Sequence, residues 1–276
     1  SRSTEQNLEK FDKKIVIKSD QEEITRTTWK GLPQGSVLSP LLFNAYCHDI
    51  QNGIPQDCNL IQYADDIVMY AANKNIDKAV NTLSVSLNKL NNWLQAHSLN
   101  ISPNKSKILV FSRKHRNPTV SIYLNNFHIP QVEDIKFLGV ILDRKLSWAQ
   151  FINSMTTKCE KNTNILRAIS GVSWGSHPST MRNIYNALIR CHLDYACFIL
   201  DSLPIHLETK LERVQSKCLR LIVGAMQSTP INALQVECCE MPIPIRRQYL
   251  AERFLLKRIS YLNHPLFNNI VKLTQS

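Results

Sequence analysis

Gln62-Tyr63-Ala64-Asp65-Asp66-Ile67-Val68-Met69-Tyr70 places two adjacent carboxylates between apolar, β-prone flanks. Ile, Val and Tyr suit the half-buried pleat of a strand, so Leu60 to Ala72 is expected to form a hairpin with Asp65 and Asp66 at its tip. Neighbouring acids repel and raise each other's pKa unless a cation or solvent separates their charges. Magnesium takes hard oxygen ligands and usually shares them with phosphates. In two-metal phosphoryl transfer, one ion activates the attacking hydroxyl and the other steadies the leaving pyrophosphate. Taken alone, however, two acids are better read as an ordinary exposed turn.

Upstream lies Lys30-Gly31-Leu32-Pro33-Gln34-Gly35-Ser36-Val37-Leu38-Ser39-Pro40. Two glycines and a proline fix a tight loop where backbone can approach a flat ligand, and Gln34 offers both a donor and an acceptor. A plain connecting loop fits the same residues. An apolar helical run follows, through Leu38, Leu41, Leu42, Ala45 and Tyr46. Ile15-Val16-Ile17 reads as a short strand before a polar stretch to Trp29.

Downstream, Val80, Leu83, Leu87, Leu90 and Leu94 recur at alternating three and four spacing, which predicts a helix over residues 77–94. Short strands are expected at Ile108 to Phe111, Ser121 to Leu124 and Phe137 to Leu142. After Trp148 four helices are expected: Phe151 to Ile169, Ser179 to Leu200, Leu207 to Val223 and Ile245 to Leu262. Pro178, Pro204, Pro230, Pro242 and Pro244 stand at helix edges. The class is therefore α+β, with a domain over residues 1–148 followed by a helical region over 149–276.

Bulk properties narrow the partners. The 276 residues are 43% hydrophobic and 20% charged, the balance of a globular chain. No apolar run approaches the roughly 20 residues of a membrane span. Ser1 to Lys10 lacks the apolar centre of a secretory leader, so an intracellular setting is expected. Lys and Arg number 33 against 22 Asp and Glu, a formal +11 that attracts polyanions, nucleic acid first. The first 150 residues carry 18 cations and 14 acids, the remainder 15 and 8, so the helical half is the more basic. Lys105, Lys107, Arg113, Lys114 and Arg116 form one acid-free patch, and Arg246, Arg247, Arg253, Lys257 and Arg258 form a second basic group that includes some helical i, i+4 neighbours; either suits a phosphate backbone or a solvated face. The eight cysteines contain no CxxC pair and are expected to be buried free thiols in a reducing interior, with no zinc site. Trp93, Trp148 and Trp174 are expected in the core.

Together the motifs are specific. GLPQGSVLSPLLFNAY followed by YADD resembles motifs B and C of reverse transcriptases, most closely those of non-LTR (LINE-like, jockey-like) retrotransposons. LNNWLQAHSLNISPNKSKILVFSRK resembles their motif D and IKFLGVILDRKLSW their primer-grip motif E. ERVQSKCLRLIVGAM, TPINALQVE and PIPIRRQYL look like the thumb and following segments of jockey-like elements. The resemblance runs from about Lys30 to Leu250. It implies part of the palm of a right-hand polymerase, then an all-helical thumb and C-terminal region, and RNA-directed DNA polymerase activity in the complete enzyme. It implies Mg2+ (or Mn2+) as cofactor, two ions in all, with an RNA template, a DNA primer and deoxynucleoside triphosphates as partners. A nuclear and cytoplasmic location is expected of the family.

Residue by residue, the resemblance makes Asp65 and Asp66 the metal-binding catalytic pair, Asp65 being the main ligand. Tyr63 and Ala64 shape the floor beneath the primer terminus. Pro33, Gln34 and Gly35 meet the incoming nucleotide and template base. The resemblance also places Lys105 near the triphosphate as a proton donor to pyrophosphate, although a solvated lysine after a proline turn fits the same residue. Phe137, Leu138 and Gly139 hold the primer backbone.

The family also uses a third carboxylate, from motif A. Leu8-Glu9-Lys10-Phe11-Asp12 has a Phe-Asp pair, but Gln6 stands where the ligand belongs and Lys10 where an alanine belongs. This stretch is rejected as motif A, and the chain is expected to be N-terminally truncated and inactive alone. No trace of endonuclease or RNase H regions is legible. The alternatives are a degenerate RNA-binding remnant, a viral RNA-dependent RNA polymerase (normally marked by Gly-Asp-Asp), and a helical adaptor that would leave four ordered motifs unexplained.

Overall fold

The computed structural model describes residues 13–18, 23–28, 32, 35–112, 114–115, 118–171, 174–200, 203–261 and 267. It divides into two compact units, one of residues 1–108 with 118–131 and one of residues 109–117 with 132–276.

In the first unit, β1 (Lys13–Lys18) pairs antiparallel with β2 (Glu23–Thr28), Lys13 opposite Thr28 and Lys18 opposite Glu23. Only β1 was expected. Thr25, Thr27 and Thr28 hid the second strand, since threonine is polar to a hydropathy reading yet β-branched and strand-favouring. Helix α1 (Ser39–Tyr46) carries Pro40 in its first turn, where its fixed φ suits the helix. None of its residues is buried, and Leu38 and Leu41 remain exposed. Strands β3 (Asn59–Tyr63) and β4 (Asp66–Tyr70) form the expected hairpin.

Helix α2 (Ile76–Ala96) is capped by Asn75, whose side chain accepts the Asp77 N–H at 2.8 Å. Its apolar stripe serves two core clusters, both bordered by Ile101. Leu90 and Leu94 bury with Ile50 against Leu60, Ile67 and Met69 of the β3–β4 hairpin. Val80, Leu83 and Leu87 pack on Ile122, Leu124 and Ile129. Strand β5 (Ile108–Leu109) is shorter than expected; β6 (Ile122–Leu124) and β7 (Phe127–Ile129) form a second hairpin. Asn125 and Asn126 both adopt positive φ in its turn, the requirement of a two-residue type I′ connection. Strand β8 (Gln131–Val132) pairs with β5. The described strands form five two-stranded ladders.

In the second unit, the stretch expected as one strand over Phe137 to Leu142 is instead a hairpin, β9 (Asp134–Phe137) and β10 (Val140–Asp143). Leu138 (φ 46°) and Gly139 (φ 84°) make the turn, again the I′ signature. Val140 and Ile141 of this hairpin pack against the helical core. Helix α3 (Ala149–Ile169) contributes Phe151, Ile152, Met155, Cys159 and Leu166 to that core.

The single helix expected over Ser179 to Leu200 is broken. It becomes α4 (Pro178–Tyr185), a π-helical turn (Asn186–Arg190), α5 (Cys191–Asp194) and a 3₁₀ turn (Cys197–Ile199). Tyr195 is extended and Ala196 left-handed (φ 55°), and these two residues end the helix. Helix α6 (Ile205–Val223) packs along α3 and stops at Gly224 in the left-handed region. Helix α7 (Ile231–Glu237) was not expected, because seven residues hold too few apolar positions to show a period. Helix α8 (Ile243–Ile259) follows Pro242.

Three further expectations are corrected in part. Trp93 and Trp148 pack on cores, but Trp174 is 70% exposed. Six cysteines are buried free thiols, whereas Cys191 and Cys239 are exposed. The Ile108 to Phe111 strand stops at Leu109. No helix among the described residues is long and apolar enough to cross a membrane.

Candidate active site

Asp65 sits in the β3–β4 turn and Asp66 opens β4, paired across the ladder with Tyr63. Ala64 takes positive φ (51°) to close the turn, and the Gln62 side chain donates to the Ala64 carbonyl at 3.0 Å. Tyr63, Ala64, Asp65 and Asp66 are all exposed. Behind them, Leu60, Ile67 and Met69 face α2. The hairpin therefore has a packed base and a bare, acidic tip, which lets both carboxylates act without leaving solvent. Their oxygens are the hard donors that magnesium or manganese takes. Among the described residues no group of three or more His, Cys, Asp or Glu side chains could hold an ion. The pair fits part of a metal site and leaves the remaining ligands to phosphate, water or another carboxylate.

The other expected residues lie on separate elements. Gly35 adopts φ 85°, a conformation that penalises any side chain, with open space where a Cβ would stand. Pro33, Gln34 and the Leu8 to Asp12 stretch fall outside the described residues. Lys105 is exposed at the end of the 3₁₀ turn Pro103–Lys105, which packs beside β7. Asp65, Asp66, Gly35 and Lys105 belong to the first unit; Phe137, Leu138 and Gly139 form the β9–β10 turn of the second.

Two residues around that turn escaped the sequence reading. Asp143 accepts from the backbone N–H of Lys145, Ser147 and Trp148, each at 3.0 Å, and from the Ser147 hydroxyl at 3.2 Å. Partial burial pushes its pKa up, but the hydrogen bonds from Ser147, Trp148 and Lys145 outweigh that and hold it below the ordinary value. The loop it organises contains left-handed Leu146 and Trp148 and leads straight into α3. Tyr195 donates its phenolic hydrogen to the Leu138 carbonyl, and its ring lies where a Gly139 Cβ would come within 3.4 Å. An Asp just before several small polar residues hints at the first device; nothing in the sequence marks the second.

The region from residue 3 to residue 142 matches the family model described as reverse transcriptase (RNA-dependent DNA polymerase), and this chain belongs to that family. It is 28% identical over 202 residues to the probable RNA-directed DNA polymerase from transposon X-element of Drosophila melanogaster, covering 70% of this chain and 22% of that protein. It is 30% identical over 226 residues to the RNA-directed DNA polymerase from mobile element jockey of Drosophila funebris, covering 78% and 24%. A putative 115 kDa protein in the type-1 retrotransposable element R1DM of Drosophila melanogaster aligns over 259 residues at 23% identity, covering 89% and 24%. The chain thus spans under a quarter of the length of these relatives. No solved structure matches it.

Proposed function

We propose that this chain contributes to RNA-directed DNA synthesis in a non-LTR retrotransposon enzyme, supplying Asp65 and Asp66 to its two-metal centre. The observation that carries this reading is the pair of exposed carboxylates at the tip of a hairpin whose other side is packed on α2. Two divalent ions, magnesium or manganese, would supply activation of the primer 3′-hydroxyl and charge neutralisation at the leaving pyrophosphate. Asp65 is the principal ligand and Asp66 its neighbour. Tyr63 and Ala64 lie under the primer end, and Pro33, Gln34 and Gly35 border the incoming deoxynucleotide. Lys105 donates a proton to pyrophosphate, and Phe137, Leu138 and Gly139 hold the primer strand. Residues 1–148 act as part of a palm and 149–276 as a helical thumb and C-terminal region, on an RNA template and a DNA primer inside the cell.

Gln6 stands where the third carboxylate would have to be, so the chain alone incorporates no nucleotide: ion spacing is what such catalysis depends on. Primer extension on a homopolymer RNA template with magnesium or manganese tests this. Incorporation is expected only from a version extended upstream through a motif A aspartate, and Asp65→Ala abolishes it. Incorporation by the unextended chain refutes the missing-ligand argument. Silence from both forms with RNA binding preserved favours the degenerate RNA-binding remnant.

A further inference from the structure

We propose that Tyr195 is a positioning residue for the primer strand, fixing the Leu138–Gly139 peptide so that the Gly139 N–H is presented to a primer phosphate. The proposal rests on the reading of Phe137 to Gly139 as the segment that holds the primer.

Both central residues of the β9–β10 turn have positive φ, and Leu138 pays a steric cost there that Gly139 does not. The Leu138–Gly139 peptide plane joins the two positive-φ residues of the turn. Tyr195 meets that plane: its hydroxyl donates to the Leu138 oxygen and its ring flanks Gly139. In a trans peptide the carbonyl and the next N–H point in opposite directions. Holding the oxygen toward Tyr195 turns the Gly139 N–H away from it, where it can donate to an anionic oxygen.

The tyrosine itself has a firm base. Asp194, its neighbour, is bound by Arg246 at 2.8 Å, with Arg190 at 3.8 Å. Leu193 and Cys197 on either side are buried in the helical core, and Phe198 stacks on Phe254 with ring centres 4.6 Å apart. Yet Tyr195 is 51% exposed. A tyrosine needed only for packing would bury more of its ring; here the buried neighbours hold a largely open side chain against one carbonyl. Gly139 stands at φ 84°, where any side chain is strained, and the Tyr195 ring lies within ordinary contact range of it, 3.4–3.7 Å from where a Cβ would stand.

The test uses the purified chain with a DNA primer annealed to an RNA template. The primer carries 4-thiothymidine either at its 3′ end or at an internal position, and cross-linked peptides are mapped by mass spectrometry. In the wild type the terminal probe should cross-link within Phe137 to Gly139. Tyr195→Phe keeps the ring and should lower that yield about fivefold, the scale of one hydrogen bond, with the internal probe and the melting temperature unchanged. Tyr195→Leu, lacking both hydroxyl and ring, should behave alike. Equal terminal yields in wild type and Tyr195→Phe overturn the positioning role, and so does a parallel fall of both probes, which marks general loosening. A wild type that never cross-links at Phe137 to Gly139 overturns the primer reading itself, and the proposal with it.

Discussion

Asp143→Ala should destabilise the second unit by about 2 kcal/mol, because the carboxylate is the hub of the loop between β10 and α3. Three backbone N–H groups and one hydroxyl converge on it at 3.0–3.2 Å. A single helix cap of this kind contributes about 0.5–2 kcal/mol. Three such donors would sum to more, but the loop is partly open and water recovers part of each bond when the acceptor is removed. Asp134 lies directly across the ladder from Asp143, so relief of that repulsion offsets a further part. Asp143→Asn should lose about half as much, since its carboxamide keeps one acceptor oxygen and turns the other into a donor. In thermal melting followed by circular dichroism, 2 kcal/mol corresponds to a shift of about 4–8 °C for a unit of this size. The pH dependence carries the sign. The folded pKa is depressed, so the contribution is fully present above the ordinary carboxylate pKa of about 3.9 and is lost as pH falls through the lower folded value. The gap between wild type and Asp143→Asn should be constant near neutrality and close below about pH 4. A gap that widens on acidification, or Asp143→Ala melting within about 0.5 kcal/mol of wild type at pH 7, would refute the hub.

Glu240, with a side chain only 1% exposed, bridges Arg182 and Arg190; Arg182 is 41% exposed and Arg190 keeps Asp194 at 3.8 Å, so Glu240→Ala should cost about 1–3 kcal/mol in chemical denaturation, chiefly through the weakened hold on Arg190; a loss under about 0.5 kcal/mol would show that Asp194 and water compensate fully. Leu94→Ala should cost about 2–5 kcal/mol and raise amide hydrogen exchange in β3 and β4 above that in β6 and β7, because Leu94 lies in the cluster beneath the acidic hairpin; equal acceleration in both hairpins would count against two distinct clusters. Under a limiting alkylating reagent, Cys191 and Cys239 should label first, while burial raises the Cys159 thiol to about 12 and the Cys218 thiol to about 11 and keeps both silent. Peptide mass spectrometry showing Cys159 or Cys218 labelled alongside them would contradict the packed core.

The sequence was most legible where one signal had one physical cause. The three-four leucine spacing of α2 and the β-prone flanks of Asp65-Asp66 each admit one geometry, and both form as expected. Legibility fell where the deciding residue looked unremarkable. Ala196 in a left-handed conformation ends a helix that apolar periodicity would have carried to Leu200, and alanine gives no warning of it. In Phe137-Leu138-Gly139-Val140 the apolar letters suggested a continuous strand, although the glycine permits a turn and Leu138 follows it into positive φ. Of the site, the carboxylate pair was readable because its chemistry is local. The contact of Tyr195 with Leu138 joins positions far apart in sequence, and only tertiary structure pairs them.

Helix α2 seats one hairpin on its N-terminal half and the other on its C-terminal half. Each added residue turns an α-helix by about 100° and advances it about 1.5 Å. One residue inserted between Leu87 and Leu90 would therefore swing one seat out from under its hairpin, whereas seven would nearly restore the facing while separating the seats by about 10 Å. Side chains on the solvent face of α2 can drift freely, but its length is locked. Among descendants of this chain, insertions and deletions should gather in the connecting loops and avoid the middle of that helix.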